Sequence, residues 1–224
     1  MNRARTRPRR RHARLLAALC LGLLASTGPG VAAAGQSAPA EQPALTLRGG
    51  QAIEIAGRHC AVGFTVAGGF LTAGHCGSVG APVSAGGQSI GTVAGSVFPG
   101  SDMAWVRTTA SVGLAPEVDR HDGTAEVVTG VGLPTSGGEV CLTGPVGGWR
   151  CGSLLGLNQT VATPGGTVTG LIRTDIPAFP GESGAPLIAA GRAVGTLVTA
   201  TATHSHFQPV TPALHRWGLR INTG

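Results

Sequence analysis

The 224-residue chain has no lysine and no tyrosine, and only 12% of its residues carry charge. Such a chain is poor in the charged faces from which amphipathic surface helices are made. No Cys-x-x-Cys spacing occurs, so the sequence offers no pattern typical of a structural zinc site. No acidic residue follows Asp175 and Glu182, an absence that later restricts the order of any catalytic constellation. The basic excess is also smaller than the formal charge of +6 implies, because seven of the 16 arginines stand before residue 15. Nine remain from Arg48 onward against nine acids, so the body of the chain is close to neutral. A nucleic-acid partner or an anionic surface therefore loses its main electrostatic support.

Those seven arginines have another use. Arg3 to Arg14 form a cationic segment, Leu15 to Ala25 an apolar one, and Ala32-Ala33-Ala34 offers a small-residue cleavage site. This is the pattern of a secretory signal peptide over residues 1–34, with an apolar run too short for an ordinary membrane span. Residues 35–46 are rich in Gln, Ser, Ala, Pro and Glu and read as a short pro-segment or linker. A secreted domain is expected over 47–224, with no membrane contact after cleavage and a monomeric state as the default.

What is abundant is glycine, 38 residues of it. Short apolar runs alternate with Gly, Pro and Ser turns: Ile53–Ile55, Ala61–Val66, Phe70–Ala73, Ile90–Val93 and Met103–Val106, then Ala125–Val131, Val140–Leu142, Thr167–Ile172, Ala185–Ala189 and Ala193–Thr199. The expectation is an all-β fold with one helix, from about Pro212 to Leu219. Without Cys20, four cysteines remain, and in an exported chain they are expected to pair. Cys60 and Cys76 are symmetric about Gly68 in the turn Ala67-Gly68-Gly69, and Cys141 and Cys151 about Val146 within Gly144–Gly148. Residues equidistant from a hairpin turn face each other across it, so these are the expected pairs. Four free thiols or a metal site are the alternatives.

Three strings carry chemistry. Phe70-Leu71-Thr72-Ala73-Gly74-His75-Cys76 puts a histidine at the end of an apolar strand, beside a cysteine. Ser96-Val97-Phe98-Pro99-Gly100-Ser101-Asp102 runs into the strand Met103–Val106, and Phe179-Pro180-Gly181-Glu182-Ser183-Gly184-Ala185 places a serine in a glycine-flanked turn. Together these strings resemble the chymotrypsin-like serine proteases, most closely the bacterial streptogrisin and alpha-lytic type. The resemblance runs from about Leu47 to Gly224 and includes Gly49-Gly50-x-Ala52-Ile53 and Phe207-Gln208-Pro209-Val210. It implies two six-stranded antiparallel Greek-key barrels with the catalytic cleft between them. It also implies a triad of Ser183 as nucleophile, His75 as general base and Asp102 to orient it, with an oxyanion hole from the amides of Gly181 and Ser183 and no cofactor. Residue order agrees: an α/β-hydrolase needs its acid after the nucleophile, and a subtilisin needs Asp before His.

The sequence departs from that family in places that matter. Glu182 stands where the family has Asp, Ala185 where it has a second glycine, and Pro177 where it has a cysteine. The partner cysteine is missing from a shortened loop around Ala202–His206. Val198-Thr199-Ala200 replaces the family's Ser-Gly-Gly on the expected substrate-binding strand, which implies a narrowed pocket and a small or medium apolar P1 residue. His204 and His206 are expected in solvent. A secreted endopeptidase acting on peptides or proteins is the leading expectation. A catalytically impaired homologue that binds peptides is the alternative, and a serine esterase is a second rival.

Overall fold

The computed structural model describes residues 45–133 and 135–224; the expected signal peptide and residues 35–44 of the expected linker lie outside them. The first described strand, β1 (Thr46–Gly49), starts one residue before Leu47, and Leu45 packs against the core. Six strands then build the first barrel: β2 (Ala52–Ile55), the interrupted pair β3 (Arg58–Ala61) and β4 (Thr65–Val66), β5 (Gly69–Thr72), β6 (Pro82–Ala85), β7 (Gln88–Val97) and β8 (Met103–Thr108). Their order is β3-β2-β6-β7-β8-β5-β4. The chain between β3 and β4 closes the ring, since Gly63 donates to the Leu71 carbonyl at 2.7 Å and Leu71 to that of Phe64 at 2.8 Å.

A small sheet follows, in which β9 (Gly113–Asp119) lies between β1 and β10 (Ala125–Val127). The second barrel contains β12 (Glu139–Gly144), β13 (Gly148–Thr163), β14 (Gly166–Thr174), β15 (Pro186–Ala189), β16 (Arg192–Ala200) and β17 (Ser205–Pro209), with β11 (Gly130–Val131) added at its side. It closes because β17 pairs with both β14 and β16. Among the described residues two strand pairs are parallel rather than antiparallel, β1 with β9 and β11 with β16. Helix α1 (Val210–Trp217) starts two residues before the expected Pro212 and ends on Gly218, whose left-handed φ of 62° suits a residue without a side chain.

Alternation decides where the strands bury. In β2, Ile53 and Ile55 face inward while Ala52 and Glu54 face water. Ile53, Ile55, Phe70, Val83, Ile90 and Val106 fill the first barrel; Val140, Leu142, Ile172, Leu187, Leu197 and Phe207 fill the second. A third cluster joins them, combining Phe64, Leu71 and Met103 with Ile188, Ala193 and, from α1, Val210 and Leu214. Each large apolar side chain fully buried this way contributes roughly 1.5–3 kcal/mol against exposure. The seam between the barrels is therefore packed, and it holds their loop ends in one cleft.

Both expected disulfides are present. Cys141 and Cys151 are direct register partners on β12 and β13. Cys60–Cys76 obeys the arithmetic but not the simple hairpin picture: β5 stops at Thr72, and Cys76 lies in a single 3-10 turn, Gly74–Cys76, that the bridge fastens to β3. β13 was missed by the strand reading because its burial is irregular and Asn158, Gln159 and Thr160 break its apolar pattern.

Candidate active site

His75 sits in the turn that follows β5. That turn lies flat on the strands below because Gly74 has no side chain: a Cβ there would come within 2.3 Å of the Val97 carbonyl oxygen. Asp102 immediately precedes β8 and is fully buried. A buried carboxylate needs partners, and it finds two on one residue. The His75 amide donates to Oδ1 at 2.8 Å, and His75 Nδ1 donates to Oδ2 at 2.6 Å. With Nδ1 carrying the proton, Nε2 of a neutral ring is left to accept, and Ser183 Oγ lies 2.8 Å from it. The Asp102 amide donates in turn to Oε1 of the buried Gln208 on β17 at 2.9 Å, tying the first barrel's acid to the second. Phe98 packs edge-on to the His75 ring, centroids 5.8 Å apart.

Ser183 comes from the loop between β14 and β15. Gly181 and Gly184 have φ of +94° and +87°, a region that L side chains rarely adopt. Gly184 also has no room, since a Cβ would meet Thr72 Oγ1 at 2.2 Å. Amides along the loop are mostly occupied: Glu182 donates to Phe179, Gly184 to Leu197 and Ala185 to Glu182. Those of Gly181 and Ser183, the expected oxyanion donors, bond to no protein atom among the described residues.

Glu182 explains how the loop keeps this shape. Its fully buried carboxylate accepts from Arg150 Nη2 at 2.7 Å, the Gly147 amide at 2.8 Å and the Phe179 amide at 2.9 Å. The longer acid thus makes a close ion pair with Arg150 on β13. Arg150 also lies against the Phe179 ring, 5.0 Å from its centroid, and donates to the Pro177 carbonyl at 3.2 Å. The missing cysteine pair has a counterpart too: the buried Ser205 hydroxyl donates to the Ile176 carbonyl and fastens the shortened loop.

The cleft holds about 730 Å³ and is lined by His75, Ser183, Phe98, Ala178 to Pro180, Leu197 to Ala200, the tip Thr163-Pro164-Gly165 and Arg58. Val198, Thr199 and Ala200 all line it. Val198 falls at an irregularity of the β16–β17 ladder, between the pairs Leu197–Phe207 and Thr199–His206, and packs with Val168 and Leu171. The long β13–β14 hairpin crosses to the first barrel, where its residues 167 and 169 bracket Gly100 at 2.9 and 3.0 Å and Phe98 covers Gly165. His204 and His206 do not line the cleft; they are partly buried, and their rings meet edge-on at 5.5 Å. Burial, then His204 and Arg173, lowers the His206 pKa below its ordinary 6.5. Arg150, Gln208, Phe98 and Gly165 had no assigned role in the sequence reading; Phe98 and Gln208 stood inside the quoted strings, whereas Arg150 carried no local signal at all.

No family model matches the sequence. Relatives do. Streptogrisin-C of Streptomyces griseus is 40% identical over 197 residues, covering 82% of this chain and 43% of that protein. Serine protease 2 of Streptomyces fradiae is 36% identical over 159 residues, covering 66% of this chain and 91% of that protein. The solved structure of Cellulomonas bogoriensis chymotrypsin superposes with a TM-score of 0.76 at 43% identity, covering 80% of this chain and all of that one. The chain belongs to the chymotrypsin-like serine proteases of the streptogrisin type. It spans about half the length of the streptogrisins it matches, 43%, 61% and 48% for the C, A and D forms.

Proposed function

We propose that this chain is a secreted serine endopeptidase that cleaves peptide bonds through an acyl-enzyme on Ser183. The observation that carries the reading is the continuous Asp102–His75–Ser183 hydrogen-bond line, with contacts of 2.6 and 2.8 Å. His75 Nε2 takes the Oγ proton as Oγ attacks the scissile carbonyl, and Asp102 stabilises the imidazolium that forms. The oxyanion is received by the free amides of Gly181 and Ser183. His75 then returns the proton to the departing amine. Water, deprotonated by the same ring, hydrolyses the acyl-enzyme and restores Ser183. An arginine-rich leader and two disulfides support export to an oxidising compartment.

The acyl half of a substrate would lie along Leu197–Ala200, pairing by backbone hydrogen bonds that any residue can make. Among the described residues, Arg58 and His75 are the only ionisable side chains lining the cleft and no carboxylate does, and Thr199 and Ala200 take room that glycines would leave. This supports small or medium apolar residues at P1. Peptides varied only at P1, with matched ester and amide substrates, test the reading: cleavage of amides after Ala, Val or Leu is expected. A strong preference for Arg or Phe overturns the P1 assignment, and turnover of esters alone overturns the endopeptidase one.

A further inference from the structure

Resting on the protease reading, we propose that the leaving-group side of the cleft selects substrates with an acidic residue at the first or second position after the scissile bond, and that Arg58 reads it. A scissile carbonyl over Ser183 Oγ points its oxygen at the Gly181 and Ser183 amides. With the acyl half along β16, the leaving half departs past Gly181, toward β3 and the tip of the β12–β13 hairpin. A Cβ built on Gly181 would lie 3.7 Å from Val146 Cγ2 and 3.8 Å from His59 Cβ, so these two residues wall that exit. Arg58, next to His59 on β3, also lines the cleft. Apart from His75, it is the one ionisable side chain among the described residues that do so.

Arg58 is exposed, and among the described residues no carboxylate pairs with it. Its ladder partner is the apolar Ile55; the nearby Glu54 stands opposite His59. A guanidinium left open in a cleft is available to a substrate carboxylate, whereas Arg150, beside the Ser183 loop, is already committed to Glu182. Val146 and Phe179, exposed by 60% and 44%, add apolar surface to the same wall. Charge complementarity of this kind selects and steers substrates while adding modestly to affinity.

The test uses internally quenched peptides identical up to the scissile bond, with Glu, Ala or Lys at the first or second position after it. The expected order of kcat/KM is Glu above Ala above Lys. The Glu-to-Lys ratio should be about five-fold at low salt, the size expected of exposed charge pairs, and should shrink at high ionic strength. Arg58→Glu should invert the order and Arg58→Gln should bring the ratio near one. Both readouts are ratios within one sample, so a partly folded variant does not imitate them. Equal cleavage of all three peptides by the unaltered protein, or a ratio that Arg58→Glu leaves in place, overturns the proposal while the protease reading stands. Cleavage of none of them overturns both.

Discussion

The two barrels divide the work unequally. The first supplies His75 and Asp102, held mainly by backbone and covalent features of that barrel: a glycine-permitted turn, a disulfide to β3, and a carboxylate bound to the His75 amide, with one tie from Asp102 to Gln208 of the second barrel. The second supplies Ser183 from a loop whose shape depends on distant residues, since Glu182 reaches Arg150 32 positions away and Ser205 reaches Ile176 29 positions away. The departures from the family's pattern read from the sequence, at Pro177, Glu182, Ala185 and Val198–Ala200, all lie in the second barrel. The comparison teaches that a backbone turn and a disulfide hold His75, while the Ser183 loop is held by side-chain polar contacts. Asp becomes Glu because Arg150 and two amides can meet it; a cysteine pair disappears where a hydroxyl and a carbonyl take over its position.

The largest effect should come from the chemistry that joins the barrels. Ser183→Ala or His75→Ala should each lower kcat/KM by roughly 10⁴-fold or more, and the double variant should lose little beyond either single one. Multiplicative losses in that cycle would mean that the two barrels act independently. Next is Glu182→Gln, which removes the fully buried partner of the half-buried Arg150 guanidinium and weakens two amide contacts. A stability loss of about 3–5 kcal/mol in denaturant titration is expected, the usual consequence of breaking a buried pair. A change below about 1 kcal/mol would contradict the assignment of loop shape to Glu182.

The disulfides sharpen the contrast. Replacing either pair by serines should cost roughly 2–3 kcal/mol, since both loops are short. Only the Cys60–Cys76 replacement should also depress kcat in the protein that remains folded, because that bridge holds the His75 turn. Equal kcat in the two variants would remove the argument that the first barrel positions its base through the bridge. Ser205→Ala should cost about 1 kcal/mol, with the loss localised by hydrogen exchange to Thr201–His206.

The smallest effect concerns pH. The pKa of His206 is lowered in the fold, chiefly by burial, so the native state favours the neutral ring. Its contribution is fully present above about pH 6.5 and is lost as pH falls through the lower native value, because the unfolded chain then binds more protons. A His206→Gln variant should show a flatter fall of Tm below pH 6.5 than the unaltered protein. Parallel curves would show that the ring is no more protonated unfolded than folded.

Much of this was legible in the sequence, for reasons visible in particular residues. Ile53 and Ile55 announce β2 by alternation, and the strings around His75, Asp102 and Ser183 mark the residues of the proposed triad because each carries its own turn glycines. β13 was not legible, since its role is to cross the cleft rather than to fill a core, and its Asn-Gln-Thr stretch faces water. Arg150 was not legible because a single arginine on an exposed-looking strand gives no hint that its guanidinium turns inward to a glutamate. Arg58 was passed over for the opposite reason: what matters about it is that no carboxylate among the described residues pairs with it, which no sequence pattern displays.

The measurement that bears most directly on the account is fluorophosphonate labelling of the mature, disulfide-intact protein, with Ser183→Ala and His75→Ala as controls. Rapid labelling of the unaltered protein that both substitutions abolish is predicted, because the nucleophile belongs to one barrel and its activation to the other. A folded protein that does not label, or one that labels equally well without His75, would contradict the account.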